Sequence, residues 1–397
     1  MCERKLPPLL DENGQWTEER RAELLDLFAR QVYGVSPEFT GKVTGTLMKK
    51  EDYPGLGRKE VVELSFDTYK GRYAYPLYVY FPEKASETAP VPMVLYIGNR
   101  PRKDLPMTLP PDITPEKLAQ VMGPALKELP APPAGGQDAS PVIKGCCLDD
   151  ALQLDNWPVE MLLKRGYATA AFYTEDLEPD YCNDGENGII CCFHDVKKED
   201  PERLGAIAAW AFGASRALDY LTQDARVSTD IAVAGHSRGG KTALWCAAND
   251  KRVQCCYAND SGCTGAALSR GKKGERLLQI NTMFPYWFCG NYKKYNDREE
   301  ELPLDQHMLL ALIAPRLLYL ASATEDLWAD PDSEFASALA ADEAYRARNV
   351  EGLACKTIPV PGAPSHEGRI GYHVRSGGHA LTKEDWSLFC DFWAKHQ

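Results

Sequence analysis

The chain has 397 residues, of which 44% are hydrophobic and 26% are charged, an ordinary composition for a globular protein. Its formal net charge of −12 argues against nucleic acid as a partner, because nucleic-acid-binding domains present a basic surface. No apolar run approaches the roughly 20 residues that a bilayer-spanning helix needs, so we expect no membrane partner either. The length suits one large domain with insertions, and we expect residues 1–397 to form it.

The cysteines and the start of the chain indicate a reducing compartment. Of the 13 cysteines, six form three adjacent pairs, an arrangement that is unfavourable for disulfides. There is no Cys-x-x-Cys or His-x-x-x-His spacing, so a zinc site is not expected. The first residues contain no apolar signal core ahead of acidic residues and prolines. We therefore expect a cytoplasmic protein that uses no metal and no other cofactor.

The first part of the chain, residues 1–90, is predicted to contain a helix followed by antiparallel strands. A helical pattern over residues 15–34 keeps its leucines and phenylalanine on one face. Residues 41–82 largely alternate polar and apolar side chains, which is typical of half-buried strands.

From about residue 90 onward, strand patterns alternate with helix patterns, which favours an α/β fold. We expect a doubly wound, mostly parallel sheet with helices on both faces, forming three layers. Residues 101–150 are rich in proline and are predicted to form a long surface insertion. Buried strands are predicted at 92–97, 167–173, 253–257, 316–321 and 356–360, and helices at 203–222 and 382–396.

The most specific motif is Gly235-x-Ser237-x-Gly239, which follows an apolar strand and opens an Ala/Leu/Trp-containing helix. This is the nucleophile-elbow pattern of the α/β-hydrolase fold. A serine at the apex of such a turn exposes its hydroxyl, and the flanking glycines let strand and helix approach closely. The helix N-terminus then faces negative charge that develops on a bound carbonyl. Ser237 is therefore the predicted nucleophile.

A serine hydroxyl needs a base to remove its proton. In this fold the nucleophile, the acid and the base follow one another along the chain, each after a strand. His379 fits the base because it stands in Ser376-Gly-Gly-His-Ala380, shortly before the terminal helix. The alternatives are His373, in a strand-like context, and His366, in a loop rich in proline and glycine.

The acid that would orient the imidazole has two candidates, since Asp326 and Asp260 each follow a predicted strand. We prefer Asp326, after the later strand, and keep Asp260 as the alternative. The backbone N–H of Arg238 and a donor near Asn99 are predicted to stabilise the oxyanion.

Several segments together resemble the glucuronoyl esterases, carbohydrate esterase family 15, which have the α/β-hydrolase fold. The match covers most of residues 230–390, and the histidine that precedes the serine is typical of bacterial members. The segments that carry the resemblance are Gly-His-Ser237-Arg238-Gly-Gly-Lys241, Asn259-Asp-Ser-Gly-Cys263, Ile280-Asn-Thr-Met-Phe-Pro-Tyr-Trp-Phe288, Glu325-Asp-Leu-Trp-Ala-Asp-Pro331 and Tyr372-His-x-Arg-x-Gly-Gly-His379.

The resemblance implies a serine carboxylesterase that hydrolyses esters of (4-O-methyl-)glucuronic acid, such as those on xylan, through an acyl-enzyme intermediate. It implies that the guanidinium of Arg238 also stabilises the oxyanion. It further implies that Lys241, Glu275 and Trp328 contact the uronic acid sugar. The expected substrate is a small-molecule or oligosaccharide uronate ester.

Two other functions remain open at this point. A sugar-acetate or acetylxylan esterase on the same scaffold would use the triad without the Lys241, Glu275 and Trp328 cluster. A non-catalytic carbohydrate-binding relative would bind the sugar without turnover.

Overall fold

The computed structural model describes residues 4–99, 113–127, 156–181, 187–193 and 199–397. In these ranges nine strands form one sheet in the order β1-β2-β3-β5-β4-β6-β7-β8-β9. Strands β1 to β3 are antiparallel and β3 joins β5 antiparallel, whereas all pairs from β5 through β4 to β9 are parallel. The strands are β1 (Thr44–Tyr53), β2 (Gly57–Thr68), β3 (Gly71–Pro82), β4 (Val91–Gly98), β5 (Ala168–Tyr173), β6 (Val227–His236), β7 (Cys255–Asn259), β8 (Leu317–Ala323) and β9 (Ile370–Arg375).

Helices cover both faces of this sheet. Alternate residues along a strand point to opposite faces, so Leu95 and Val94 belong to two different buried clusters. The first cluster also contains side chains of α1, α4, α5 and α8, and the second contains those of α3 and α9. The helices are α1 (Glu18–Phe28), α2 (Pro115–Lys127), α3 (Val159–Lys164), α4 (Ala206–Leu221), α5 (Arg238–Asn249), α6 (Leu277–Met283), α7 (Gln306–Ala311), α8 (Pro331–Arg346) and α9 (Lys383–Lys395).

The predicted three-layer α/β architecture with an antiparallel opening is therefore confirmed. Within the predicted insertion the structure describes residues 113–127, which contain α2, and the rest of 101–150 lies outside the described ranges. No helix in the described part of the chain is both long and apolar enough to cross a membrane.

The first helix is shorter than the pattern over 15–34 predicts. The hydroxyl of Thr17 caps α1 by accepting from the backbone N–H of Arg20. The helix continues as one wider π-helical turn, Ala29–Tyr33, which ends at Gly34 with φ 88°. A Cβ at Gly34 would lie 2.4 Å from the carbonyl oxygen of Arg203, so only glycine fits this stop.

The predicted strand at 356–360 is wrong. These residues form no strand, and Val360 is 68% exposed. The physical reason is that Pro359 and Pro361 flank Val360, and proline offers no N–H for a ladder hydrogen bond. The last strand is β9, which the sequence indicated only through the strand-like context of His373.

Because β6 to β9 are parallel, their carboxyl ends meet at one edge of the sheet. The loops that follow these four strands carry the predicted nucleophile, both candidate acids and the predicted base.

Candidate active site

Ser237 lies alone between the last residue of β6 and the first residue of α5, with φ 56° and ψ −120°. This is a sparsely populated conformation for a non-glycine residue, as expected at a nucleophile elbow. Its backbone N–H donates to the carbonyl oxygen of Asn259 at 2.9 Å. A Cβ at Gly235 would lie 2.1 Å from the carbonyl oxygen of Gly239, and one at Gly239 would lie 2.8 Å from that of Ile97. Both glycines are therefore sterically required.

His379 lies in the loop between β9 and α9, and its Nδ1 is 2.6 Å from Oδ2 of Asp326. The imidazole is about half exposed, whereas the aspartate is buried. Burial alone would raise the pKa of Asp326, but the hydrogen bond and charge of His379 outweigh it and lower that pKa below its ordinary value. The aspartate can therefore fix the tautomer that leaves Nε2 to accept a proton.

The two alternative histidines are engaged elsewhere. His373 is buried in β9, with Nε2 2.8 Å from Oδ1 of Asp385 and Nδ1 2.9 Å from the hydroxyl of Tyr319. Nε2 of His366 lies 3.0 Å from the same tyrosine hydroxyl. Since both ring nitrogens of His373 are hydrogen-bonded, it has no nitrogen left for a serine proton.

Asp260, the alternative acid, lies beside this pair. One potential metal-ligand atom from each of Asp260, Asp326 and His379 lies within 4.8 Å of the other two. Asp260 is almost fully buried, and its Oδ2 accepts from the backbone N–H of Ala380 at 3.3 Å. Its Oδ1 has no hydrogen-bond partner in the described structure. Asp326, rather than Asp260, makes the hydrogen bond to the imidazole.

Burial raises the pKa of Asp260 well above its ordinary value, and the charges of Asp326, Glu334 and Asp385 add to this effect. Arg375 opposes the shift without reversing it. The shift disfavours the carboxylate form of Asp260, which is the form that would stabilise an imidazolium. We therefore keep Asp326 as the predicted triad acid.

His236, the last residue of β6, packs against the predicted base. Its ring centroid is 4.5 Å from that of His379, and its Nδ1 is 2.5 Å from Oδ1 of Asn259. Burial, together with the charge of His379, lowers the pKa of His236 to about 3. His236 is therefore neutral at neutral pH and adds no positive charge of its own beside the catalytic imidazole.

The guanidinium of Arg238 is held by a carboxylate that no sequence pattern indicates. Nη1 of Arg238 contacts Oδ2 of Asp180, and the guanidinium lies 5.2 Å from the centre of the Trp287 ring. Oδ1 of Asp180 accepts from the hydroxyl of Tyr286 and from Nε1 of Trp287, both at 2.9 Å. No motif around Asp180 marks it, because its partners lie far away in the sequence. Asn99 accepts from the hydroxyl of Thr174 at 2.9 Å.

The predicted sugar-contact residues are also brought together. Lys241 is buried, and its Nζ donates to the carbonyl oxygen of Ser261 at 2.6 Å. Glu275 and Trp328 are partly buried, and the backbone N–H of Glu275 donates to the carbonyl oxygen of Trp328 at 3.1 Å. Lys241 is therefore not a solvent-exposed charge on the surface of α5. Trp328 is not part of the buried hydrophobic core either, because its side chain is partly exposed.

The charges of this cluster interact with each other and with the predicted triad. Burial raises the pKa of Glu275, while the positive charges of Lys241, Lys272 and His379 oppose the shift. Burial lowers the pKa of Lys241, and Glu275 opposes that shift. The backbone N–H of Lys241 also donates to the carbonyl oxygen of Ser237 at 3.1 Å, so Lys241 and Glu275 lie near the predicted nucleophile and base.

A buried glutamate, Glu334, connects the end of β8 with the loop that follows β7. Glu334 in α8 accepts from the hydroxyl of Ser322 at 2.6 Å and from the backbone N–H of Gly262 at 2.8 Å. Burial raises its pKa from 4.5 to about 7, although these two hydrogen bonds oppose the shift. The sequence offered no motif for this residue.

Glu334→Gln is expected to remove a pH dependence of stability. Between pH 4.5 and about 7 the folded protein holds a proton on Glu334 that the unfolded chain has released, so the wild type loses stability as the pH rises. The loss over this window is about 3 kcal/mol. The glutamine mimics the protonated acid and should not show it. Urea unfolding at about pH 5 and about pH 8 measures the difference.

Glu343→Gln, at an exposed position of the same helix, is the matched control and should keep the wild-type slope. Equal slopes for Glu334→Gln and wild type would show that Glu334 does not titrate in this range.

Comparison with known proteins identifies the family. A family model described as "Glucuronyl esterase, fungi" matches residues 133–349. A carbohydrate esterase from an unidentified prokaryote is 38% identical over 389 residues, which cover 96% of this chain and 85% of that protein.

Solved structures agree with this result. A promiscuous carbohydrate esterase family 15 enzyme from a marine bacterial metagenome superposes with a TM-score of 0.80 at 35% identity, covering 100% of this chain and 98% of that one. A glucuronoyl esterase from Solibacter usitatus gives a TM-score of 0.79 at 34% identity, covering 99% and 98%. The predicted α/β-hydrolase fold is thereby confirmed, and the chain belongs to the glucuronoyl esterase family, carbohydrate esterase family 15.

Proposed function

We propose that this protein is a serine carboxylesterase that hydrolyses esters of (4-O-methyl-)glucuronic acid on small-molecule or oligosaccharide substrates. The observation that carries the proposal is the meeting of three features at one edge of the sheet. These are a strained nucleophile elbow, a hydrogen-bonded His–Asp pair and a cluster of a buried Lys241 with the partly buried Glu275 and Trp328.

In this mechanism, Oγ of Ser237 attacks the uronate carbonyl carbon while Nε2 of His379 takes the serine proton. Asp326 holds the imidazole and stabilises the imidazolium that forms. The backbone N–H of Arg238, at the start of α5, and its guanidinium stabilise the oxyanion. Collapse of the tetrahedral intermediate expels the alcohol, which receives the proton from His379.

In the second half of the cycle water is the nucleophile and Ser237 is the leaving group. A water molecule gives a proton to His379 and attacks the ester carbon of the acyl-enzyme. The second tetrahedral intermediate then releases glucuronate, and Ser237 regains its proton from the imidazolium. Every step uses groups of this chain, the substrate ester and water.

The cluster beside the triad suits a sugar acid. The ammonium of Lys241 can donate to sugar hydroxyls, the carboxylate of Glu275 can accept from them, and the face of Trp328 can pack on the ring. Hydrolysis of a sugar acetate would place the sugar on the leaving-group side and would not need these contacts for the acyl group. Similarity to proteins named glucuronoyl esterases likewise favours uronate esters over sugar acetates.

We also propose that the natural substrates are uronate esters derived from xylan and that the protein acts in the cytoplasm. The cysteines that support this location are free thiols at all nine positions within the described ranges. Hydrolysis of a non-permeant uronate ester by cell lysate, but not by intact cells or their medium, is the expected result. Activity in the medium would contradict the cytoplasmic location.

Lys241→Met is expected to separate uronate esters from acetates. Methionine fills similar space but cannot donate to a sugar hydroxyl, and a hydrogen bond from a charged donor contributes about 2 kcal/mol. We expect kcat/KM for benzyl glucuronate to fall about 30-fold, while kcat/KM for p-nitrophenyl acetate changes little. Steady-state kinetics on both esters measure the two ratios.

Lys251→Met is the matched control, because Lys251 follows the same helix and is 67% exposed. This substitution should leave kcat/KM for both esters unchanged. An equal loss on both esters in Lys241→Met would assign Lys241 to support of the Ser261 backbone and would argue against sugar contact.

A further inference from the structure

Arg375, the last residue of β9, is buried and lies under the loop that carries His379. Its Nη1 donates to the carbonyl oxygen of Ser376 at 2.7 Å. Its Nη2 donates to the carbonyl oxygens of Gly378 at 2.7 Å and Ala380 at 3.1 Å. The last two residues flank His379 directly, so one guanidinium binds the backbone on both sides of the predicted base.

The guanidinium is itself fixed at its other end. Nε of Arg375 donates to Oδ2 of Asp385 at 3.0 Å, in the first turn of α9. Burial would raise the pKa of Asp385, but the hydrogen bond and charge of His373 outweigh it, with help from Thr382, and keep that pKa below its ordinary value. Asp385 is therefore a fully buried carboxylate that anchors Arg375 against the sheet and the terminal helix.

The loop needs such an anchor. Gly377, with φ 108°, and Gly378 stand side by side, and glycine pairs restrict the backbone little. Gly377 also makes two hydrogen bonds to the residues that follow β8, just before Asp326. Its N–H donates to the hydroxyl of Thr324 at 3.2 Å, and its carbonyl oxygen accepts from the N–H of Glu325 at 2.8 Å. Those contacts precede His379, whereas Arg375 also reaches the residue after it.

We propose that Arg375 is a positioning residue for the reaction: it fixes the backbone around His379 so that Nδ1 stays on Asp326 and Nε2 faces Ser237. The inference rests on the proposed roles of these three residues but not on the identity of the acyl group. It applies to acetate and uronate esters alike, because both reactions use the same base.

The test compares Arg375→Lys and Arg375→Gln with wild type on benzyl glucuronate and on p-nitrophenyl acetate. Lysine keeps the buried positive charge next to Asp385, so this variant should fold, but its single ammonium cannot reach all three carbonyls in the geometry of the guanidinium. Misplacing a catalytic group by about 1 Å costs about 100-fold in rate, so we expect kcat to fall about 100-fold on both esters with KM little changed.

Arg369→Gln is the matched control, because Arg369 immediately precedes β9 and is exposed. It should have wild-type kinetics. Thermal unfolding of each variant establishes that the protein used in the kinetics is folded.

A double-mutant cycle separates positioning from a general structural effect. In a His379→Ala background the base is gone, so Arg375→Lys should cause no further loss of residual p-nitrophenyl acetate hydrolysis. In the His379-containing proteins, proton NMR gives a second measure. The far-downfield Nδ1 proton shared with Asp326, assigned by its loss in His379→Ala, should broaden or vanish in Arg375→Lys.

An equal loss in both backgrounds, or an unchanged downfield proton with unchanged kcat, would overturn the proposal. Failure of the proposed function is distinguishable from this result. In that case wild type would cleave only p-nitrophenyl acetate, and the role of Arg375 would still be decided on that ester.

Discussion

Ser237→Ala is expected to lower kcat for benzyl glucuronate by about a million-fold. Alanine fits the turn but offers no oxygen to attack the carbonyl, and loss of the nucleophile in a serine hydrolase costs about this much. The backbone contact of residue 237 with Asn259 does not depend on the side chain, so the variant should fold normally. Turnover at saturating ester, with thermal unfolding as a check of folding, measures the effect.

Ser228→Ala, near the start of the same strand β6, is the matched control and should keep full activity. A phosphonate ester that labels active-site serines should modify wild type at one position and leave Ser237→Ala unlabelled. A loss of only about tenfold in Ser237→Ala would mean that another group attacks the ester.

Asp326→Asn is expected to lower kcat by about 10,000-fold, the second-largest effect of a single substitution. An amide in place of the carboxylate favours the wrong tautomer of His379 and cannot stabilise the imidazolium. The carboxylate in wild type lies 2.6 Å from Nδ1, and its pKa is held below its ordinary value. Steady-state kinetics at neutral pH measure the loss.

Asp260→Asn is the comparison that decides between the two acids. Burial raises the pKa of Asp260 and so disfavours its charged form, which means that an uncharged asparagine should be better tolerated there than at Asp326, and its side-chain oxygen can still accept from the N–H of Ala380. We expect a loss of less than about tenfold, the value of one neutral hydrogen bond. A severe loss at Asp260 together with a mild one at Asp326 would reverse the assignment.

The sequence predicted the elements of the site that depend on local geometry. The elbow around Ser237 requires glycines at fixed positions, and His379 requires a turn before a capped helix, so both leave patterns in the sequence. The choice between Asp260 and Asp326 could not be made this way. Both follow neighbouring parallel strands, and their distances from His379 depend on how the loops pack.

Other features depend on contacts between distant parts of the chain. Asp180 and Arg238 are in contact but lie 58 positions apart in the sequence, and Glu334 and Gly262 lie 72 positions apart. No local sequence pattern therefore marks either carboxylate. The strand predicted at 356–360 failed for a different reason: its apolar residues alternate with prolines, and the backbone donors that a ladder needs are missing.

The most direct test of the central claim is the ratio of kcat/KM for benzyl glucuronate to kcat/KM for p-nitrophenyl acetate, measured with wild type. The proposed function predicts a clearly higher efficiency on the glucuronate ester, because the cluster of Lys241, Glu275 and Trp328 binds the sugar acid. Cleavage of the acetate without release of glucuronate would contradict it and would favour a sugar-acetate esterase on the same scaffold.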